Sequence, residues 1–163
     1  TFDDDDYSHP NRIAEQVALL QSSDTECVGY NEVLFWRKFT ADGGGLLGDW
    51  ERGKDGEAWL YSNPDPSYAA GASLCYWRSA WERQPFSDLQ VGEDRDFIRR
   101  VKTVGVSGIP DAEPGWQKAP RLIQSLHGGN TWDGNIEAAI AKGSREWRRV
   151  PEWDAYARER CSL

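Results

Sequence analysis

The chain opens TFDDDDYSHPNRIAEQV, and the four adjacent carboxylates of Asp3, Asp4, Asp5 and Asp6 constrain its fold most. Ionised carboxylates this close repel one another, and each unit of pKa displacement costs about 1.4 kcal/mol, so the run cannot lie inside a core. Two arrangements tolerate it: a solvated turn, or a site where a cation sits among the acids. The flanks give the position. Thr1-Phe2 reads as the end of a buried strand whose beginning is missing, which puts the acids at that strand's carboxyl end. Downstream, Pro10 suits a first helical turn capped by Ser8 or His9, and Ile13, Val17 and Leu20 recur on one helical face.

CVGYNEVLFWRKF is rich in β-branched and aromatic residues and predicts a strand. With the glycine-rich ADGGGLLGD and the returning strand EAWLYS, it makes a hairpin extended from the body over about residues 28–62. Gly43-Gly44-Gly45 lacks the Gly-Lys-Ser/Thr of a phosphate loop and opens no helix, so it reads as the hairpin tip. After the turn SNPDPS, AAGASLCYWR predicts a short buried strand, and Ser79 with Glu82 a capping box for a brief helix, SAWERQ. Gly92-Glu93-Asp94 introduces DRDFIRRV, in which Phe97, Ile98 and Val101 form an apolar stripe. A Gly/Pro-rich connection, GVSGIPDAEPGW, then leads to RLIQSLHGG, a strand ending near His127. Two helical patterns, NIEAAIA and PEWDAYARERC, form the tail.

At 163 residues the chain is one domain's worth, and nine tryptophans supply packing area and ring-stacking surface. A net charge of −8 argues against a nucleic-acid backbone or an anionic membrane as partner, although SREWRRV and ARER give the last third a basic edge. No run approaches the roughly 20 apolar residues of a membrane span, and no stretch reads as a signal peptide. Cys27, Cys75 and Cys161 are odd in number and widely spaced, which predicts buried thiols in a reducing compartment, the cytoplasm. The absence of methionine and the start on Thr-Phe predict a trimmed piece of something longer.

Three stretches carry candidate chemistry. A divalent cation, Mg²⁺ or Mn²⁺, would relieve the repulsion among the aspartates, and the carboxyl ends of strands in open α/β sheets are where ligands sit. Glu93 and Asp94 lie at a helix start, where the macrodipole favours an anion, and taken alone this explains them as a helix cap; the functional alternative is a general base within reach of a substrate hydroxyl. His127 sits at a strand end beside two glycines that let a ligand approach the backbone. A lone histidine is more often a hydrogen-bonded surface residue than a metal ligand. Trp77, Trp81 and Trp132 lie near these stretches, as sugar-stacking surfaces or, for at least two of them, as core.

In order along the chain, these stretches resemble the family-2 glycosyltransferases. FDDDDYSHPNRIAEQ looks like the family segment in which a strand ends in Asp-x-Asp and passes through a proline into a helix. YAAGASLCYWRSAWERQPFSDLQVGEDRDF is similar to its next landmark, and LHGGNTW resembles its late histidine-bearing segment. The resemblance covers about residues 1–133, and the block from WERQPF to GEDRDF is its most specific part. It implies a partial GT-A, Rossmann-like α/β fold: a mixed sheet flanked by helices, the inserted hairpin, and a helical tail over 134–163 packed on the same domain.

It further implies metal-dependent transfer of a sugar from a nucleotide-sugar donor to an acceptor hydroxyl. Asp3 and Asp5 would match the Asp-x-Asp acids, with Asp5 a direct metal ligand and Asp3 serving the ribose or, through water, the ion. His127 would complete the metal site and Asp6 stand behind it. Asp94 would be the base, with Glu93 orienting it or contacting the acceptor, whether glycan, protein or lipid-linked. One base and no carboxylate nucleophile imply inversion of configuration. The family's nucleotide-binding half is missing, which predicts a chain inactive alone. Other readings are a Ca²⁺- or glycan-binding module without turnover, a truncated remnant or packing subunit, and a metal-dependent phosphotransferase or nuclease.

Overall fold

The computed structural model of the chain describes residues 5–37, 56–109, 119–126 and 136–161. Its first elements are β1 (Tyr7–Ser8), α1 (Arg12–Ser22), β2 (Cys27–Arg37) and β3 (Glu57–Ser62). A 3-10 turn (Gly71–Ser73) precedes β4 (Cys75–Tyr76), α2 (Arg78–Arg83), α3 (Glu93–Arg100) and β5 (Thr103–Ser107). Then come β6 (Leu122–Leu126), α4 (Ile136–Ala141), β7 (Trp147–Arg149), a 3-10 turn (Pro151–Trp153) and α5 (Asp154–Cys161). This is a mixed α/β architecture, with a seven-stranded sheet flanked by helices. Among the described residues no helix is long and apolar enough to cross a membrane.

The segment CVGYNEVLFWR explains the topology. Strands buried on both faces lose the apolar/polar alternation, and β2 is buried along nearly its whole length. It is the spine of the sheet. One edge of β2 pairs in parallel with β5 over its first half and with β6 over its second. The other edge pairs antiparallel with β4 and then with β3. A register shift between Tyr30 and Glu32 marks the handover from the first half to the second. β1 joins the outer edge of β6, and β7 that of β3.

The expected hairpin is therefore present, with Glu32 opposite Ser62 and Arg37 opposite Glu57, but its first strand does not project from the body. It is the middle of the sheet. The stretch around Gly43-Gly44-Gly45 lies outside the described residues.

Side chains alternate across β2 into two cores. Leu34 and Trp36 pack with Ala58, Leu60, Ile123, Val150 and α5 residues Ala157 and Cys161. Val33 and Phe35 pack on the other side with Ala70, Leu122, Leu126 and Ile136. A third cluster gathers Cys27, Ala69, Leu74 and Ala80 around α3 residues Phe97 and Ile98, with Val101 behind them, as the stripe in DRDFIRRV predicts. Cys27 and Cys161 are buried thiols as expected, whereas Cys75 is only half-buried; burial pushes Cys27 up to about 12, so it stays protonated.

Four local expectations are corrected. α1 does not bury Ile13 and Val17; its inward face is Arg12, Gln16 and Leu20. Arg12 Nη2 donates to the Ala72 carbonyl at 2.6 Å and Gln16 Nε2 to the Ser73 carbonyl at 2.7 Å, so hydrogen bonds take the place of an apolar stripe. AAGASLCYWR is a 3-10 turn followed by a two-residue strand. The Ser79–Glu82 capping box does not form, because α2 starts at Arg78 with Trp77 as its N-cap. β5 and β7 fall in stretches read as a connection and a basic edge.

Pro10 lies ahead of α1 and not in its first turn, and the N-cap is Asn11, with no side-chain cap, in place of Ser8 or His9. His9 serves the helix start differently: its Nδ1 accepts the Asn11 N–H at 3.1 Å. Burial, reinforced by the positive charge of Arg121, holds the His9 imidazole below its ordinary value of 6.5. A group whose folded pKa is depressed contributes stability above its unfolded value and loses it as pH falls through the folded value. Urea midpoints are thus expected to hold above about pH 6.5 and to decline below it. His9→Asn, which keeps an acceptor near the Nδ1 position, should flatten that decline; an unchanged slope would assign it elsewhere.

Candidate active site

The acidic segment is fixed by β6. Antiparallel pairing of β1 with β6 sets Tyr7 opposite Ile123, and the chain before β1 continues along the end of that strand. There the Ser125 Oγ donates to the Asp5 carbonyl at 2.6 Å, and the Ser125 N–H donates to Asp6 Oδ1 at 2.8 Å. Asp6 thus spends a carboxylate oxygen on holding the segment, and both acids remain partly exposed. On the outer side, the Tyr7 ring meets Tyr156 edge-on at 6.1 Å, with the Arg160 guanidinium over both rings.

The second half of the site comes from α3. Gly92 enters the helix at φ +85, a left-handed conformation that costs glycine nothing, so the chain turns sharply into Glu93 and Asp94. Three acids, Glu93, Asp94 and Asp96, occupy the first turn, where the helix dipole favours them, and two arginines the last. Asp94 is half-buried. Its Oδ1 accepts the Arg95 N–H at 2.6 Å, which aims the other oxygen toward Gly71. A methyl group added at Gly71 would lie 2.0 Å from Asp94 Oδ2. The glycine is there because the carboxylate occupies the space a side chain would fill.

Arg12 relates the two halves. It is 1% exposed, lies within electrostatic reach of Asp6, contacts Ser8 Oγ at 3.5 Å and holds the Ala72 carbonyl on the same turn that Asp94 covers. Desolvation lowers its pKa, and the Tyr30 hydroxyl and Asp6 oppose that shift. Arg12 thus lies near Asp6 and holds the carbonyl of Ala72, the residue after the Gly71 on which Asp94 packs.

Asp5, Glu93 and Asp94 lie among the described residues; Asp3, His127 and Trp132 lie outside them. Trp77 and Trp81 are each 41% exposed, so the described pair is not core. Among the described residues no group of three or more His, Cys, Asp or Glu side chains is arranged to hold a metal ion. Of the expected ligands the described residues contribute Asp5, an oxygen donor of the kind hard cations prefer, fixed beside the strand that runs toward residue 127.

Sequence reasoning missed Arg12, Gly71 and Ser125. Arg12 is hidden because a charged residue on a buried helix face breaks amphipathic patterning. Gly71 carries a signal in the small-residue run AAGAS, and Ser125 carries none. Comparison of the chain with protein-family models, curated proteins and solved structures returned no match.

Gly71→Ala offers a direct test of this packing. The added methyl contacts only Asp94 within its three nearest neighbours, so a side chain rather than backbone must yield. Stability is expected to fall by about 1 kcal/mol. If Asp94 is the base, its displacement by an ångström or so should lower turnover about a hundredfold. Gly71→Ala added to Asp94→Asn should cost nothing further in turnover; full additivity would show that the glycine acts elsewhere.

Proposed function

We propose that this chain is the carboxyl-terminal part of a family-2, GT-A-type glycosyltransferase catalytic domain, transferring a sugar from a nucleotide-sugar donor to an acceptor hydroxyl with inversion. The observation that carries the reading is Asp94: a half-buried carboxylate at the start of α3, packed on Gly71 and joined through Arg12 to the acidic segment. Displacement at an anomeric carbon needs a nucleophile losing its proton on one face and a leaving diphosphate on the other.

In this reading Asp94 Oδ2 takes the acceptor proton, while Oδ1 stays on the Arg95 N–H and keeps the carboxylate aimed. Glu93, beside it in the first turn, orients the acceptor. Asp5 and Asp3 would serve the donor and the ion, with His127 completing the metal site, and Ser125 with Asp6 holds the Asp5 segment in place. A divalent cation bound there, Mn²⁺ or Mg²⁺, would neutralise the diphosphate as a Lewis acid.

The test is an assay of nucleoside diphosphate release across a panel of nucleotide sugars with Mn²⁺, using both this chain and the gene's whole product. NMR of the product reads its anomeric configuration. Asp94-dependent transfer with an inverted linkage supports the reading. Transfer that survives loss of the Asp94 carboxylate removes the base, and a retained configuration removes the single displacement.

A further inference from the structure

Outside the acidic segment and α3, an open depression of about 520 Å³ lies where α4 turns into β7, lined by Lys142, Ser144, Arg145, Glu146 and Trp147 among others. Its walls are a capped helix end and a paired strand. Gly143 leaves α4 at φ +85, and the N–H groups of Lys142, Gly143 and Ser144 bond the last helical carbonyls, a tightly capped helix end. Trp147 is held by strand pairing opposite Tyr61, and its ring packs 5.0 Å from Tyr61 and 5.1 Å from Phe35.

From Trp147 the aromatic wall runs through Tyr61 to Tyr68, three residues before the Gly71 on which Asp94 packs. The Tyr61 ring lies 5.9 Å from that of Tyr68, and the Tyr68 hydroxyl feels both the Asp94 and the Glu146 carboxylates. Burial and the neighbouring Tyr61 hydroxyl raise Tyr68 as well, so it stays a neutral hydrogen-bonding group between the two acids. The side chains of Lys142, Arg145 and Glu146 form no ion pair or hydrogen bond with any described residue.

We infer that the α4–β7 depression binds the acceptor, and that the acceptor is a saccharide whose ring lies against Trp147 while Glu146 and Lys142 engage its hydroxyls. This rests on the transferase reading above. The chemistry favours a hydroxyl-rich ligand: an apolar small molecule wants an enclosed, mostly apolar cavity. Here a preorganised aromatic wall is rimmed by donors and acceptors of both charges and open to solvent. A sugar presents an apolar C–H face to the ring and hydroxyls to the rim. An acceptor seated there extends past Tyr68 toward Asp94.

The experiment separates binding from turnover. The 163-residue chain is applied to an array of neutral and acidic oligosaccharides, and the strongest binder is measured by calorimetry without donor. Glu146→Gln with Lys142→Ala, both at partly or fully exposed positions, is expected to weaken binding about tenfold with the circular dichroism spectrum unchanged. Trp147→Ala should weaken it further, and Ile13→Ala, at an exposed position of α1 outside the depression, should leave it unmoved. No bound saccharide on the array, or binding indifferent to the Glu146 and Lys142 changes, overturns the inference. Asp94-dependent transfer with an acceptor KM untouched by those changes also overturns it and leaves the transferase reading standing. Saccharide binding lost in the depression variants, without sugar transfer from any donor, does the reverse.

Discussion

Asp94→Asn is expected to lower sugar transfer by about 10²–10⁴-fold, the usual contribution of a positioned general base. The amide is nearly the same size and keeps an oxygen that can accept the Arg95 N–H, so α3 should start as before. It cannot take a proton at neutral pH. Folding stability should stay within about 0.5 kcal/mol of the parent, the range of changes that disturb no core or network. Donor affinity, read by calorimetry with nucleotide sugar and Mn²⁺, should be unaltered. The opposite pattern, with normal turnover and a weakened fold, would make Asp94 a helix-start residue and nothing more, and the transferase reading would fall with it.

Phe97→Ala should give the largest loss of stability. Phe97 is fully buried, with the Phe86 ring 4.6 Å away and the Tyr76 ring 5.0 Å away, and it closes the cluster that seats α3 against β2 and α2. Removing a buried phenyl ring costs about 3–5 kcal/mol, because its contacts are lost and the cavity does not collapse completely. For a chain of this length that corresponds to a drop of roughly 6–20 °C in melting temperature. Val91→Ala, at the most exposed apolar side chain in the same region, should change stability by less than about 0.5 kcal/mol. Equal effects for the two would contradict the packing.

The sequence discloses what burial alone decides. β2 is legible because CVGYNEVLFWR is rich in β-branched and aromatic residues, and the α3 stripe because Phe97, Ile98 and Val101 recur with helical spacing. The tail helices announce themselves through NIEAAIA and through Pro151, which starts the 3-10 turn ahead of α5. Whatever depends on partners far along the chain stays hidden. TVGVS is an ordinary short β-rich stretch until it lies beside β2, and WRR becomes β7 only because Tyr61 is opposite. The polar inward face of α1 follows from backbone carbonyls near residue 72, which no local window contains. Of the candidate site, Glu93 and Asp94 can be picked out from the helix start they form, whereas the guanidinium that relates them to the acidic segment cannot.

The central position of β2 governs the order in which the molecule can be made. The strand is translated well before its parallel neighbours β5 and β6. Until they arrive, one edge and much of both faces of the strand stay exposed on the nascent chain, its partners among the described elements translated before β5 being α1, β3, β4 and the Gly71–Ser73 turn. Such late-completed, non-local pairing slows folding and prolongs exposure to aggregation. A chain stalled before residue 122 should therefore be a strong chaperone client, while release of the finished polypeptide should free it.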